Sequence, residues 1–147
     1  MDFDTFEDNM VQYRYKVLRP MQIMETNCCS YARWKNYLIE KMSLYAEIEV
    51  NGQKYWFVHA DCNPEQPLAK QSSKILLWGR ALAKYPGLHQ ETQIIVLGHT
   101  PVQKLRLGSK PCWLSRGKLV LMDTGSFWEN GHISCANLLT KEVWQSD

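Results

Sequence analysis

Hydrophobic and polar positions change period several times along this chain, and each change marks a predicted element. Ala46-Glu47-Ile48-Glu49-Val50 alternates apolar with acidic residues. Successive side chains on a strand point to opposite sides, so this reads as a strand with one wet face. Asn51-Gly52 follows, a pair that tolerates positive φ, and Gln53 to Val58 resumes in extended fashion. The whole stretch is therefore predicted to be a β-hairpin with a two-residue turn. Ile94-Ile95-Val96-Leu97 is apolar at every position and runs into Gly98-His99-Thr100-Pro101. Four aliphatics bounded by turn residues predict a strand buried on both faces. Gly98 then permits a sharp turn or a close approach, and Pro101 ends the strand. Lys118 to Met122 is a second buried-type strand leading into a tight turn at Asp123-Thr124-Gly125. His132 to Leu139 alternates as a further strand, and Lys141 to Trp144 completes a closing hairpin.

Two stretches carry helical spacing. Tyr31, Trp34, Leu38, Met42 and Tyr45 recur every three or four residues, forming one face of a helix that Ser30 can cap. Its aromatic face reads as core. Leu68 to Tyr85 is largely helical up to Pro86-Gly87, with a break expected at Gly79-Arg80, because Trp78 and Arg80 cannot share a helix face. Cys62 to Pro67 is a loop, its two prolines excluding regular structure. Thr100 to Lys118 carries Lys104, Arg106, Lys110, Arg116 and Lys118, interrupted by Gly108 and Pro111, and reads as a solvated basic loop, with guidance of an anionic substrate as the alternative. Met1 to Asn27 is the least patterned part and is read as helical or irregular, with a solvated acidic surface at Asp2, Asp4, Glu7 and Asp8. Strands mixed with helices make the fold class mixed α/β.

The chain has 147 residues, 45% apolar and 22% charged, enough for one globular domain with a sizeable core. A net charge of +2 is too mild for the concentrated basic stripe of a nucleic-acid binder, so no nucleic-acid partner is expected. Five cysteines, with Cys28 and Cys29 adjacent and the rest scattered, form neither a disulfide framework nor a CxxC pair. Reduced thiols in a cytosolic protein are the simplest reading. The first ten residues are acidic with no apolar run, and no run is long enough for a bilayer, so a cytoplasmic protein without a membrane partner is expected.

The candidate chemistry lies where the apolar runs end. Tyr55-Trp56-Phe57-Val58 runs into His59, and Ile94 to Leu97 runs into His99 one residue later. Two strands bringing imidazoles to the C-terminal edge of one sheet would make half of a metal shell. Asp61 either orients a histidine as an acceptor or caps the loop. Arg80 offers a planar guanidinium able to grip two phosphate oxygens at once, against the plainer reading of a surface arginine in a salt bridge. His89 sits in a loop without an assigned role, and His132 is read as structural or surface.

Val58-His59-Ala60-Asp61, Leu76-Leu77-Trp78-Gly79-Arg80, Leu97-Gly98-His99-Thr100-Pro101 and Met122-Asp123-Thr124-Gly125 occur in that order. The series resembles the second half of the calcineurin-like (PPP) serine/threonine protein phosphatases, a metallophosphoesterase family, and in particular its small bacterial and bacteriophage lambda type. The resemblance runs from about Tyr31 to the C-terminus. It implies part of a β-sandwich of mixed sheets with flanking helices, and a two-metal phosphoesterase. His59 and His99 match two ligands of one metal ion, and Arg80 matches the arginine that clamps the substrate phosphate. The implied metal is manganese, with iron or zinc as alternatives, since mixed nitrogen and oxygen ligands suit those ions. The departure is as informative. The family's first half carries Gly-Asp-x-His-Gly, Gly-Asp-x-x-Asp-Arg-Gly and Gly-Asn-His-Glu, which supply the other ligands and the bridging carboxylate. None occurs here, and no His precedes His59. The expectation is a chain that lacks the N-terminal metal-binding half and binds metal weakly or not at all alone. It would act on a phosphorylated protein or small molecule when self-association or a partner chain completes the fold. The alternative is a non-catalytic, phosphatase-like binding or regulatory protein that keeps an anion pocket.

Overall fold

A computed structural model describes residues 42–89 and 91–147. The chain divides into two units, Met1–Met42 and Ser43–Asp147, and every described strand and helix belongs to the second. The segment from Met1 and most of the helix predicted from Ser30 lie outside the described residues. That helix does not extend to Tyr45, which opens the first strand.

Strand β1 (Tyr45–Val50) and strand β2 (Gln53–Val58) form the predicted hairpin, closing on the pair Val50 and Gln53. Asn51 and Gly52 take φ of 52° and 76°. Two consecutive positive φ values make the turn whose twist matches that of paired strands, and this is why the turn falls on those residues. Strand β3 (Ile94–Leu97) lies parallel to β2, and strand β5 (Leu119–Leu121) lies parallel to β3. Strand β4 (Cys112–Leu114) pairs antiparallel with β5, giving the order β1-β2-β3-β5-β4. The connection from β2 to β3 carries two short helices, α1 (Ser73–Trp78) and α2 (Ala81–Lys84). Ser72 caps the first, its hydroxyl accepting from the Ile75 N–H. The Leu68 to Tyr85 stretch is thus helical in pieces, broken at Gly79 and Arg80 as the spacing predicts.

Register sorts the sheet into two faces. Trp56, Val58, Ile95, Leu97, Leu119 and Leu121 share one face and pack with Leu76 of α1 and Leu82 of α2 into a buried core. Complete burial of such a side chain contributes roughly 1.5–3 kcal/mol. The opposite face is also apolar, through Ala46, Ile48, Phe57, Val96 and Val120. Its burial declines from the centre outward: Val120 is buried, Phe57 is half-buried and Ile48 is 49% exposed.

The C-terminal hairpin is present but shorter than its pattern suggests, as β6 (Ser134–Ala136) against β7 (Val143–Gln145). Polar contacts tie it to the end of β5: the Thr124 and Ser134 hydroxyls share a hydrogen bond of 2.6 Å. His132 Nδ1 lies 2.8 Å from the Ser146 carbonyl oxygen, which bears out its structural reading. His89 is a core histidine, buried with Nε2 2.8 Å from the Gln93 carbonyl oxygen. Cys62, Cys112 and Cys135 are free thiols, and burial, with the nearby Asp61 carboxylate, pushes the Cys62 thiol up to about 12. Among the described residues no helix is long and apolar enough to cross a membrane.

Candidate metal centre

Three adjacent parallel strands end at the same level. Val58 of β2 pairs with Leu97 of β3, which pairs with Leu121 of β5. One residue past β2 stands His59, two past β3 stands His99, and two past β5 stands Asp123. The C-terminal edge of a parallel sheet is where open α/β sheets build their sites, and here it brings together residues far apart in sequence. The ring centres of His59 and His99 lie 5.0 Å apart at an interplanar angle of 58°. Two imidazoles bound to one tetrahedral ion, with metal–nitrogen distances of about 2.0–2.1 Å, have ring centres roughly 5 Å apart. The pair has the spacing that a shared cation requires.

His99 is held in an uncommon conformation. Its φ is 63°, and the Thr100 N–H donates back to the Gly98 carbonyl oxygen at 2.7 Å, closing a three-residue γ-turn around it. Such a turn is rare and strained for a residue with a bulky side chain. Its Nε2 is buried without a hydrogen-bond partner, as is the neighbouring Thr100 hydroxyl. An orphaned ring nitrogen on a strained turn is costly twice over, and strain of this kind concentrates at functional positions. Replacing His99 with glycine removes both penalties. The expected result is a gain of about 1–2 kcal/mol in folding free energy, read as a higher urea midpoint, with loss of any function the ring serves.

Arg80 sits in the break between α1 and α2, with φ −148° and ψ 16°. Asp61 fixes that break. Its carboxylate, 3% exposed, accepts from the Cys62 N–H at 3.0 Å, the Ala81 N–H at 2.6 Å and the Leu82 N–H at 3.3 Å. Asp61 caps its own loop at Cys62 and, beyond that reading, serves main-chain donors at the start of α2, directly after Arg80. Gly79 packs against it so closely that a Cβ would come within 2.4 Å of the Asp61 Cβ. The Arg80 side chain is exposed, with no ion-pair partner among the described residues, and its charge acts on His99. The salt-bridged surface reading of Arg80 therefore does not apply among these residues.

Both imidazoles are harder to protonate than an ordinary histidine. Burial lowers His59, partly offset by the Asp123 carboxylate. Burial also lowers His99, assisted by Arg80, His59 and Lys104 and opposed by Asp123. The unfolded chain therefore takes up protons first as the pH drops. Stability is level above the ordinary value of 6.5 and falls as the pH passes below it toward the lowered folded-state values. Imidazole titration by NMR should place both midpoints under 6.5, and neutral rings, the form that ligates metals, should persist into mildly acidic solution.

Other residues, named in the sequence without a role in the histidine pair, join the site. The Trp78 ring meets His99 edge-on at 5.4 Å. Lys104, in the stretch read as solvated loop, lies 5.7 Å from the Trp128 ring centre and within electrostatic range of His99. Asp123 bonds the Gly125 N–H through Oδ1 at 2.9 Å, forming the predicted tight turn, and its charge reaches both histidines. Its place two residues past a buried strand, the same as that of His99, is the signal for this second role. Among the described residues no third His, Cys, Asp or Glu joins the pair to form a ligand group. An open, largely apolar groove of about 460 Å³ leads from Ala46 along the sheet past Phe57 and Val96 to His59. Compared with protein-family models and with curated proteins, the chain finds no match.

Proposed function

We propose that this chain is the C-terminal half of a metal-dependent phosphoesterase of the serine/threonine-phosphatase type, with its fold a part of the metallophosphoesterase sandwich. The observation that carries this reading is the pair of imidazoles 5.0 Å apart beside the Arg80 charge, at the ends of adjacent parallel strands. His59 and His99 would hold one divalent ion, manganese first and iron or zinc next, and Arg80 would grip the phosphate of a phosphorylated protein or small molecule. When bound, the ion supplies Lewis-acid charge at the phosphoryl group. The chain's own contribution is positional: Asp61 and Gly79 set Arg80, and the γ-turn aims His99. Two neutral ligands bring no negative charge to offset a divalent ion, so a carboxylate from a partner chain or from a second copy completes the centre. The proposed compartment is the cytoplasm, where the free thiols stay reduced.

A second reading rests on the exposed Arg80 guanidinium, which has no ion-pair partner among the described residues: a non-catalytic phosphatase-like protein that binds an anion for regulation. Hydrolysis of p-nitrophenyl phosphate by the purified chain with added manganese, alongside calorimetric titration with inorganic phosphate, separates the two. Turnover that disappears in His59→Ala and His99→Ala supports the phosphoesterase. Phosphate binding that needs Arg80 but gives no turnover supports the anion-binding protein. Failure to bind either manganese or phosphate rejects both.

A further inference from the structure

The sheet ends on one side at β1, and this edge has three properties that together describe a partner. The first is unpaired backbone. In an antiparallel hairpin closed by a two-residue turn, the residues flanking the turn form a hydrogen-bonded pair and the pattern alternates from there. Val50, Ile48 and Ala46 therefore point their main-chain groups inward to β2, while Glu49, Glu47 and Tyr45 point theirs outward. The Ser43 hydroxyl engages the outward groups of Tyr45, donating to its carbonyl oxygen at 2.5 Å and accepting from its N–H at 3.5 Å. The outward groups of Glu47 and Glu49 have no partner among the described residues. Ser43 thus marks where the open edge stops, leaving two residues with four main-chain groups free for an incoming strand.

The second property is apolar exposure on one face. Ile48 is 49% and Val50 38% exposed, on the side where burial declines from the sheet centre. The third is charge on the other face, where Glu47 and Glu49 stand two residues apart and exposed. These carboxylates decide the occupant. A second copy pairing antiparallel edge to edge about a two-fold axis that passes within this stretch sets glutamate opposite glutamate, either Glu47 facing Glu49 twice or one of the two facing its own copy, and like charges directly opposed oppose pairing.

We propose that β1 is a docking edge for an extended segment of a partner protein that carries Lys or Arg at two positions one residue apart, with aliphatic residues between and beside them. Such a segment adds a sixth strand. Its main chain meets Glu47 and Glu49, its basic side chains face their carboxylates, and its aliphatic side chains extend the apolar face beside Ile48 and Val50. Main-chain bonds supply the affinity and the alternation supplies the specificity. This inference is independent of the phosphoesterase reading, since it uses no residue of the metal centre.

The probe is the peptide acetyl-Val-Lys-Ile-Lys-Val-amide, fluorescently labelled and titrated into the full chain, with amide hydrogen exchange measured in parallel. The expected result is saturable binding that slows exchange at Glu47 and Glu49, weakens with added salt, and is reduced about tenfold in the E47K/E49K double variant. The peptide with both lysines replaced by glutamate should show the reverse preference and bind the double variant. Circular dichroism showing an unchanged fold of that variant secures the comparison. Absence of binding, binding indifferent to the charge reversal, or slowed exchange confined to other segments would overturn the proposal. So would sedimentation showing that the edge is occupied by a second copy.

Discussion

Replacement of Asp61 by alanine is expected to lower the folding free energy by about 4 kcal/mol, the largest effect of any polar substitution at the site. One buried carboxylate accepts from three main-chain donors, those of Cys62, Ala81 and Leu82. Each hydrogen bond to a charged group contributes roughly 1.5–3 kcal/mol, and a buried donor left without a partner costs about 1–3 kcal/mol. The three share one acceptor, so their losses do not add in full. Asparagine keeps one acceptor oxygen, so Asp61→Asn should cost about half as much. Urea unfolding checks both, with a lower midpoint and an unchanged denaturant slope, because the surface exposed on unfolding stays the same. A loss under 1 kcal/mol for the alanine variant would mean that the start of α2 is held by something else. The functional consequence runs through Arg80, which precedes the capped helix directly: phosphate binding should weaken in these variants although neither alters the guanidinium.

Gly79→Ala is expected to cost about 3 kcal/mol for a different reason. The backbone at Gly79 is extended, with φ −60° and ψ 158°, which any residue can adopt. Space is what is missing. A Cβ there would lie 2.4 Å from the Asp61 Cβ, 2.8 Å from Asp61 Oδ2 and 2.8 Å from the Ile75 carbonyl oxygen. Two of these atoms belong to the capping aspartate and one to the backbone of α1, and the one side-chain tip among them, Oδ2, is held by the Ala81 N–H at 2.6 Å. Overpacking must therefore push α1 and the Asp61 loop apart. Gly87, with nothing within 4 Å of its would-be Cβ, is the control, and Gly87→Ala should lie within about 0.5 kcal/mol of the parent. Because Gly79 and Asp61 touch, the double variant should be less destabilised than the sum of the singles.

What the sequence revealed and what it concealed divide along physical lines. The β1–β2 hairpin was legible because Asn51-Gly52 is a local signal, complete within two residues. Strands β3 and β5 were legible because burial on both faces leaves unbroken aliphatic runs. The break at Gly79-Arg80 was visible in helical spacing. Strand β4 was not, since Cys112-Trp113-Leu114 is too short to alternate and lies in a basic stretch after Pro111. Strand β6 was overdrawn at both ends, because alternation continued past the residues that pair, and β7 starts later than read and runs on to Gln145. In the site, His59 and His99 followed from where apolar runs end. The role of Asp61 was hidden because its partners lie about twenty residues away across a turn that no local pattern announces. Lys104 was hidden because a charged residue in a loop reads as solvated until tertiary structure turns it toward Trp128.

The central claim is that His59 and His99 act as one cation site. The most direct measurement is imidazole nitrogen NMR of the full chain during titration with zinc, a diamagnetic ion that takes nitrogen ligands. The expected result is that the ring nitrogens of His59 and His99 shift together, along one binding curve, while those of His89 and His132 stay in place. Rings that respond at different zinc concentrations, or a response from only one of the two, would contradict it.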